Sequence, residues 1–265
     1  MALEALLFDV DGTLADTEKT GHRVAFNLAF EQAGLDWHWD ETMYGQLLAV
    51  TGGKERMHHY LEHFYQGDVA TSDREGLIQT LHQAKTHHYT QLLQTGAIPL
   101  RTGVERLLRQ AHQAQMRMAI VTTTTPANVT ALLQHTLGPE SIDWFEVIAA
   151  GDVVPAKKPA PDIYQWALAK MDLAPDQTLA FEDSDNGLLS ASAAGVPTLV
   201  TPNDYTQTQD FSSALMTLSH LGAPEAPAHV MSVAPVLERE TPLLSSESPW
   251  VNLAQLHHWH QACQH

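Results

Sequence analysis

Short apolar runs alternating with single amphipathic segments fill the chain from residue 104 to residue 200. No other feature constrains the fold as much. The runs Met118–Val121, Phe145–Ala149, Thr178–Phe181 and Pro197–Val200 are brief and apolar on both alternating faces, the pattern of strands buried within a sheet. Between and around them, Val104–Ala114, Pro126–His135, Asp162–Met171 and Leu188–Ala194 have helical spacing. Pro126 suits a first helical turn and Gly195 closes a last one. Near the start, Ala5–Val10 is one more apolar run, and it stops at Asp-Gly. Strands joined by single helices predict an α/β fold with a parallel sheet covered on both faces.

From about Asp16 to Gln91 the texture is helical throughout. Val24, Phe26, Leu28, Ala29 and Phe30 form one broad apolar face; Met57, Tyr60, Leu61 and Phe64 form a second; Leu77, Ile78 and Leu81 begin a third. The expected organisation is a core of residues 1–15 and 92–221, a helical insert of residues 16–91, and an extension of residues 222–265. The stretch from about Gly222 to Pro249 is rich in Pro, Ser, Glu and Ala and reads as a linker, either ordered by contact or mobile, with a short helix after it carrying Leu253, Leu256 and Trp259.

Of 265 residues, 31 are acidic and 14 are Lys or Arg, a formal charge of −17. Such a field repels nucleic acid, so no nucleic-acid partner is expected. It also repels phosphorylated metabolites, so any phosphate site must bring its own cations. The single cysteine, Cys263, excludes an internal disulfide and fits a reducing compartment. No run approaches the roughly 20 apolar residues of a membrane span. The expectation is a cytoplasmic protein, without membrane association, that is a monomer or weak oligomer.

In parallel sheets of this kind ligands bind beyond the carboxyl ends of the strands, and the chemically interesting residues fall there. Asp9-Val10-Asp11-Gly12-Thr13 offers two carboxylates at i and i+2; in different environments one can attack phosphorus while the other carries a proton. A solvated Asp-Gly turn is the plain alternative. Thr122 opens a run of four threonines whose hydroxyl and backbone N–H groups can bind phosphoryl oxygens or merely satisfy the loop itself. Lys157-Lys158-Pro159 places lysines on a proline-stiffened loop, where Lys158 can offset charge on a carboxylate and a phosphoryl group, or simply face solvent. Glu182-Asp183 sets adjacent acids at a strand end, costly unless a cation binds, although Asp183 or Ser184 can instead cap the next helix.

These four elements stand in the sequence as LLFDVDGTL, AIVTTTT, KKPAPDIY and FEDSDNG. In that order they resemble the haloacid dehalogenase (HAD) superfamily, whose pattern is hhhh-D-x-D-G-T, hhh-T/S, K-P and E-D. The resemblance runs to about residue 205 and implies a Rossmann-like parallel sheet core with an inserted α-helical cap. DTEKTGHRVAFN, WDETMYGQLLAVTGGKERM and AAGDVVPAKKPAPDIY are more narrowly similar to the CbbY-like sugar-phosphate phosphatases. That likeness implies a Mg²⁺-dependent phosphatase, with xylulose 1,5-bisphosphate hydrolysed to xylulose 5-phosphate. It also implies roles: Asp9 as nucleophile, Asp11 as acid and base, Thr122 and Lys158 as phosphoryl stabilisers, and Mg²⁺ held by Asp9, the Asp11 carbonyl, Glu182 and Asp183.

Substrate choice is expected in the helical insert and beside the threonine loop. Thr51, Gly52, Gly53, Lys54 and Arg56 are candidates for a second phosphate, Glu18, His22 and Arg23 for sugar hydroxyls or phosphate, and Thr123 and Thr124 for the substrate as well. The competing readings are a phosphomutase similar to beta-phosphoglucomutase, and a sugar-phosphate binding module without turnover.

Overall fold

The computed structural model describes residues 1–67, 74–96, 98–238, 243–244 and 249–264. Seven strands form one sheet: β1 (Ala5–Phe8), β2 (Arg117–Thr122), β3 (Val147–Ala150), β4 (Thr178–Glu182), β5 (Thr198–Val200), β6 (Met216–Leu218) and β7 (Val230–Val233). Their spatial order is β3-β2-β1-β4-β5-β6-β7, parallel throughout except that β7 runs antiparallel to β6. In the central register Phe8 lies beside Ile120 on one side and Phe181 on the other. The carboxyl ends of β1, β2 and β4 therefore open onto one place.

Both faces of the sheet are buried, and the strand residues alternate between them as the two-residue period requires. Leu6, Phe8, Met118, Ile120, Leu179 and Phe181 point into one core, where the rings of Phe8 and Phe181 stack with centroids 4.6 Å apart. Ala5, Leu7, Ala119, Val121 and Ala180 point into the other. The smaller residues on that second face admit Ile163, Tyr164, Ala167, Leu168 and Met171 from a helix packed closely upon it.

Nine helices are described: α1 (Arg23–Gln32), α2 (Glu41–Leu47), α3 (Gly53–His63), α4 (Arg74–Gln94), α5 (Val104–Gln113), α6 (Pro126–Leu137), α7 (Asp162–Met171), α8 (Asp185–Ala193) and α9 (Leu253–Ala262). Helices α1 to α4 have a separate aromatic core in which Phe26, Phe30, Trp37, Trp39, Tyr44 and Tyr60 pack largely edge to face. The α6 start follows its sequence, with Pro126 in the first turn and the Thr125 hydroxyl accepting from the Asn128 N–H. At α8 the open choice of cap is resolved: Ser184 accepts from the Gly187 N–H, which leaves Asp183 free of capping.

Strands β6 and β7 and helix α2 carry too little periodicity to be read from the sequence. β7 is an edge strand of mostly exposed residues, and β6 is only three residues long. Part of the expected linker, residues 239–242 and 245–248, lies outside the described residues. On either side of it the chain is built into the sheet core, where Leu237, Val251, Leu253, Leu256 and Trp259 join the cluster beneath β1. Asn252 caps α9 in a reciprocal box with Gln255. Trp259→Ala is expected to cost about 3–5 kcal/mol, as deletion of a fully buried tryptophan does. Urea unfolding checks it, and a loss below about 1 kcal/mol would mean that α9 only lies on the surface.

Candidate active site

Four residues of the site are delivered by the ends of strands. Asp9 follows β1, Thr122 ends β2, and Glu182 ends β4 with Asp183 next in the chain. All four are buried, and so is Lys158 from the loop before α7. Lys158 Nζ donates to Asp9 Oδ1 at 2.8 Å, to Glu182 Oε1 at 2.6 Å and to the Val121 carbonyl at 2.9 Å, so all three of its protons are committed. Tyr164 OH donates to Glu182 as well. Asn203 Nδ2 donates to Asp183 Oδ2 at 2.7 Å, and the Thr13 hydroxyl lies between Asp183 Oδ1 (3.4 Å) and Asp9 Oδ2 (3.5 Å).

Two glycines permit this crowding. Gly12 has φ +86°, and a Cβ there would sit 2.3 Å from Asp183 Oδ2; at Gly187 a Cβ would sit 1.9 Å from Glu182 Oε2. Arg101 ties the strand ends together by donating to the carbonyls of Gly12, Thr201 and Pro202.

The electrostatics are unbalanced. Among the described residues Asp9, Glu182 and Asp183 form the one acidic cluster able to hold a metal ion, with ligand oxygens all within 4.8 Å of one another. Burial raises the Asp9 carboxyl, against the pull of Lys158. Burial likewise pushes Glu182 up to about 7, with Lys158 opposing and Asp9 adding to the rise. Asp183 is raised well above the carboxylate range, first by burial and then by Asp9 and Glu182. Lys158 is held above the ordinary lysine value because these carboxylates outweigh its own burial. Lys158 thus pairs with two of the three carboxylates, while Asp183 has neutral hydrogen-bond donors and only the weaker pull of Arg101. Glu182 Oε2 is buried with no hydrogen-bond donor. This all-oxygen donor set fits a hard divalent cation.

Asp11 faces a different environment. Its Oδ1 accepts from the Thr17 hydroxyl at 2.6 Å and lies 2.8 Å from His22 Nε2; on the other side of the ring, His22 Nδ1 is 2.9 Å from Lys85 Nζ. Burial would raise the Asp11 carboxyl, but His22, Thr17 and Lys85 together hold it well below the usual range. Lys85, buried against the rings of Phe26 and Tyr89, is pushed down to about 8 by that burial. The Asp11 carboxylate is not part of the metal-type cluster, so only its carbonyl remains for a ligand role of the kind first expected.

A small cavity of about 90 Å³ is lined by Asp9, Asp11, Thr122, Lys158, Glu182 and Asp183 among others. Thr51, Gly52 and Arg56 also line it. A larger one, about 460 Å³, shares Asp11, Glu18, Gly52, Arg56 and Thr123 with it, and adds His22, Gly53, Lys54 and Thr124. Thr122 is buried with its hydroxyl oxygen accepting from the Thr124 N–H. Within the larger cavity Glu18 accepts from Tyr44 OH, Arg56 donates to the same hydroxyl at 2.8 Å, and the Arg56 Nε is buried without a partner. Arg23 is the candidate that these cavities leave out: its guanidinium turns to the carbonyls of Lys19 and Trp39 and to Glu41.

Several contributing residues had not been singled out. Thr13 is part of the D-x-D-G-T segment and was legible there. Thr17 and Tyr164 lie within the DTEKTGHRVAFN and KKPAPDIY segments, while Lys85, Asn203 and Arg101 reach the site from stretches where one polar residue carries no spacing signal.

A model of the haloacid dehalogenase-like hydrolases matches residues 3–195, and the chain belongs to that family. More narrowly it is a CbbY-like phosphatase. It is 44% identical over 260 residues to the plasmid-encoded protein CbbY of Cupriavidus necator, covering 97% of both chains. With CbbY of Rhodobacter capsulatus it shares 48% over 223 residues, 84% of this chain and 96% of that one. The crystal structure of a mutant CbbY from Rhodobacter sphaeroides in complex with xylulose-(1,5)bisphosphate superposes with a TM-score of 0.77 at 44% identity, covering 82% of this chain and 94% of the other.

Replacing Lys158 with methionine removes the one cation touching Asp9 and Glu182. The expected cost is about 3–5 kcal/mol in EDTA, the penalty for orphaning buried charge, and Mg²⁺ should recover part of it. Urea unfolding with and without the ion reads both. A variant as stable as wild type in EDTA would show that the carboxylates need no compensation.

Proposed function

We propose that the protein is a Mg²⁺-dependent phosphatase of a small sugar bisphosphate, xylulose 1,5-bisphosphate, releasing xylulose 5-phosphate and inorganic phosphate. One observation carries the reading: a buried nucleophile-type aspartate sits beside a second aspartate held by a separate set of partners, at the junction of a phosphoryl-sized cavity and a larger cationic one. The xylulose 1,5-bisphosphate seen in the CbbY relative supports the substrate class.

In this reading Asp9 attacks phosphorus. Its Oδ1 is engaged by Lys158, while Oδ2 has only the Thr13 hydroxyl at 3.5 Å and is the freer oxygen for attack. A bond forms from the carboxylate to phosphorus, the bond from phosphorus to the sugar oxygen breaks, and that oxygen takes a proton from Asp11. Water then attacks the aspartyl phosphate, Asp11 accepts its proton, and phosphate leaves with Asp9 restored. Asp11 is held ionised at rest by Thr17, His22 and Lys85, so it takes up a proton from solvent as substrate binds, before it protonates the leaving oxygen. A phosphate dianion arriving beside Asp11 offsets the cations that keep it ionised.

Lys158 and the Thr122 loop stabilise the transferring oxygens. Asp9, Glu182, Asp183 and the Asp11 carbonyl would hold Mg²⁺, which when bound supplies charge neutralisation to the phosphoryl group. Residues 16–91 serve as the cap: Glu18, His22 and Arg56 meet the sugar, Lys54 and Arg56 the second phosphate, and Thr51 and the Gly52–Gly53 backbone close the site from above, with Thr123 and Thr124 facing the substrate from the core. The cap excludes water from the chemistry.

The experiment is phosphate release, with Mg²⁺ and with EDTA, over sugar mono- and bisphosphates. The expected result is Mg²⁺-dependent release that is highest for xylulose 1,5-bisphosphate. Selective turnover of a monophosphate would overturn the substrate, and an isomerised sugar phosphate without free phosphate would overturn hydrolysis in favour of a mutase.

A further inference from the structure

Resting on that substrate reading, the far rim of the larger cavity holds a feature the chemistry does not use. Asp152, just after β3, binds two lysines at once: Lys54 Nζ lies 2.7 Å from its Oδ2, and Lys157 Nζ lies 2.8 Å from its Oδ1. Lys54 belongs to α3 and Lys157 to the loop before α7, so one carboxylate spans the helical insert and the core. All three line the cavity. Lys157 also lies 3.4 Å from Glu55. The four side chains sum to zero charge, which leaves little attraction for an incoming dianion unless one carboxylate moves away.

The two carboxylates differ in their freedom to move. The Glu55 side chain is 41% exposed, but its Oε2 is buried against Gly52. The Asp152 side chain is 60% exposed and can turn to water at little cost. Two ammonium groups converging on the two oxygens of one exposed carboxylate also have the geometry that grips two oxygens of a phosphate.

We propose that Asp152 is an internal competitor for the substrate's distal phosphate: it holds Lys54 and Lys157 in the free protein, yields them to the second phosphate, and retakes them to expel the monophosphate product. The product keeps the distal phosphate after transfer, so without a competitor the two lysines would retain it. The role is one of specificity and release, and Asp152 touches no reacting atom.

The test is steady-state hydrolysis by Asp152→Asn, with Asp152→Glu as the conservative variant. For the bisphosphate, Asp152→Asn should lower KM and kcat together, each about fivefold, and lower the inhibition constant of the monophosphate product similarly. Fivefold is the scale of one exposed ion pair. KM for a monophosphate without a distal anion should stay unchanged, and Asp152→Glu should behave like wild type. A raised KM with unchanged kcat would overturn the proposal, since Asp152 would then be building the lysine site, and equal shifts on both substrate types would overturn it as well. Wild-type protein that hydrolyses no bisphosphate would instead overturn the substrate reading on which the proposal rests.

Discussion

Three buried carboxylates crowd together beside one buried ammonium that pairs with two of them, and the rest of the site is arranged around that imbalance. Asp9, Glu182 and Asp183 come from adjacent strand ends, and Lys158 reaches only the first two. Burial raises all three carboxyls, Glu182 to about 7, so holding the cluster fully ionised is costly unless a cation joins it. Tyr164, Asn203 and Thr13 supply neutral donors that fix the carboxylates in place without cancelling their charge. A divalent cation completes such a set more economically than further lysines, because one ion neutralises two charges at the point where a phosphoryl group arrives.

Asp11 is two residues from Asp9 and lives under the opposite regime. Its partners Thr17, His22 and Lys85 come from the helical segment that begins directly after it, and they bias it toward the charged form. The fold thereby separates the environments of two neighbouring carboxylates by giving one to the sheet and the other to the helices. The partners of Asp11 depend on the helical segment lying over the strand ends, so its carboxyl is tuned only when the site is covered.

Much of this was legible in the sequence. The short apolar runs locate β1 to β5 within two residues at each end; the expected start of β3 at Phe145 falls early because Phe145 ends the tight turn that follows α6. Three of the four site segments stand directly at strand ends and the fourth, with Lys158, lies on the loop between β3 and α7, all on the side where a parallel sheet binds ligands. What stayed hidden depends on contacts distant in sequence. Lys85 sits 63 residues from His22 on a helix with little amphipathic contrast, and nothing local marks it as a partner. Arg23 read as a site residue by proximity in sequence to His22, yet one residue turns a helix by about 100°, which takes it to another face. The residues from Gly222 to Pro249 read as a linker because their Pro and Ser content masks the few apolar positions, Leu237 among them, that seat them in the core.

Calorimetric titration of Mg²⁺ into the metal-free protein tests the central claim most directly. The account predicts saturable binding of one ion per chain, lost when Asp183 is replaced by asparagine. Heats no larger than dilution in the wild-type protein at millimolar Mg²⁺ would contradict it, and would mean that the three carboxylates are satisfied by protons and Lys158 alone.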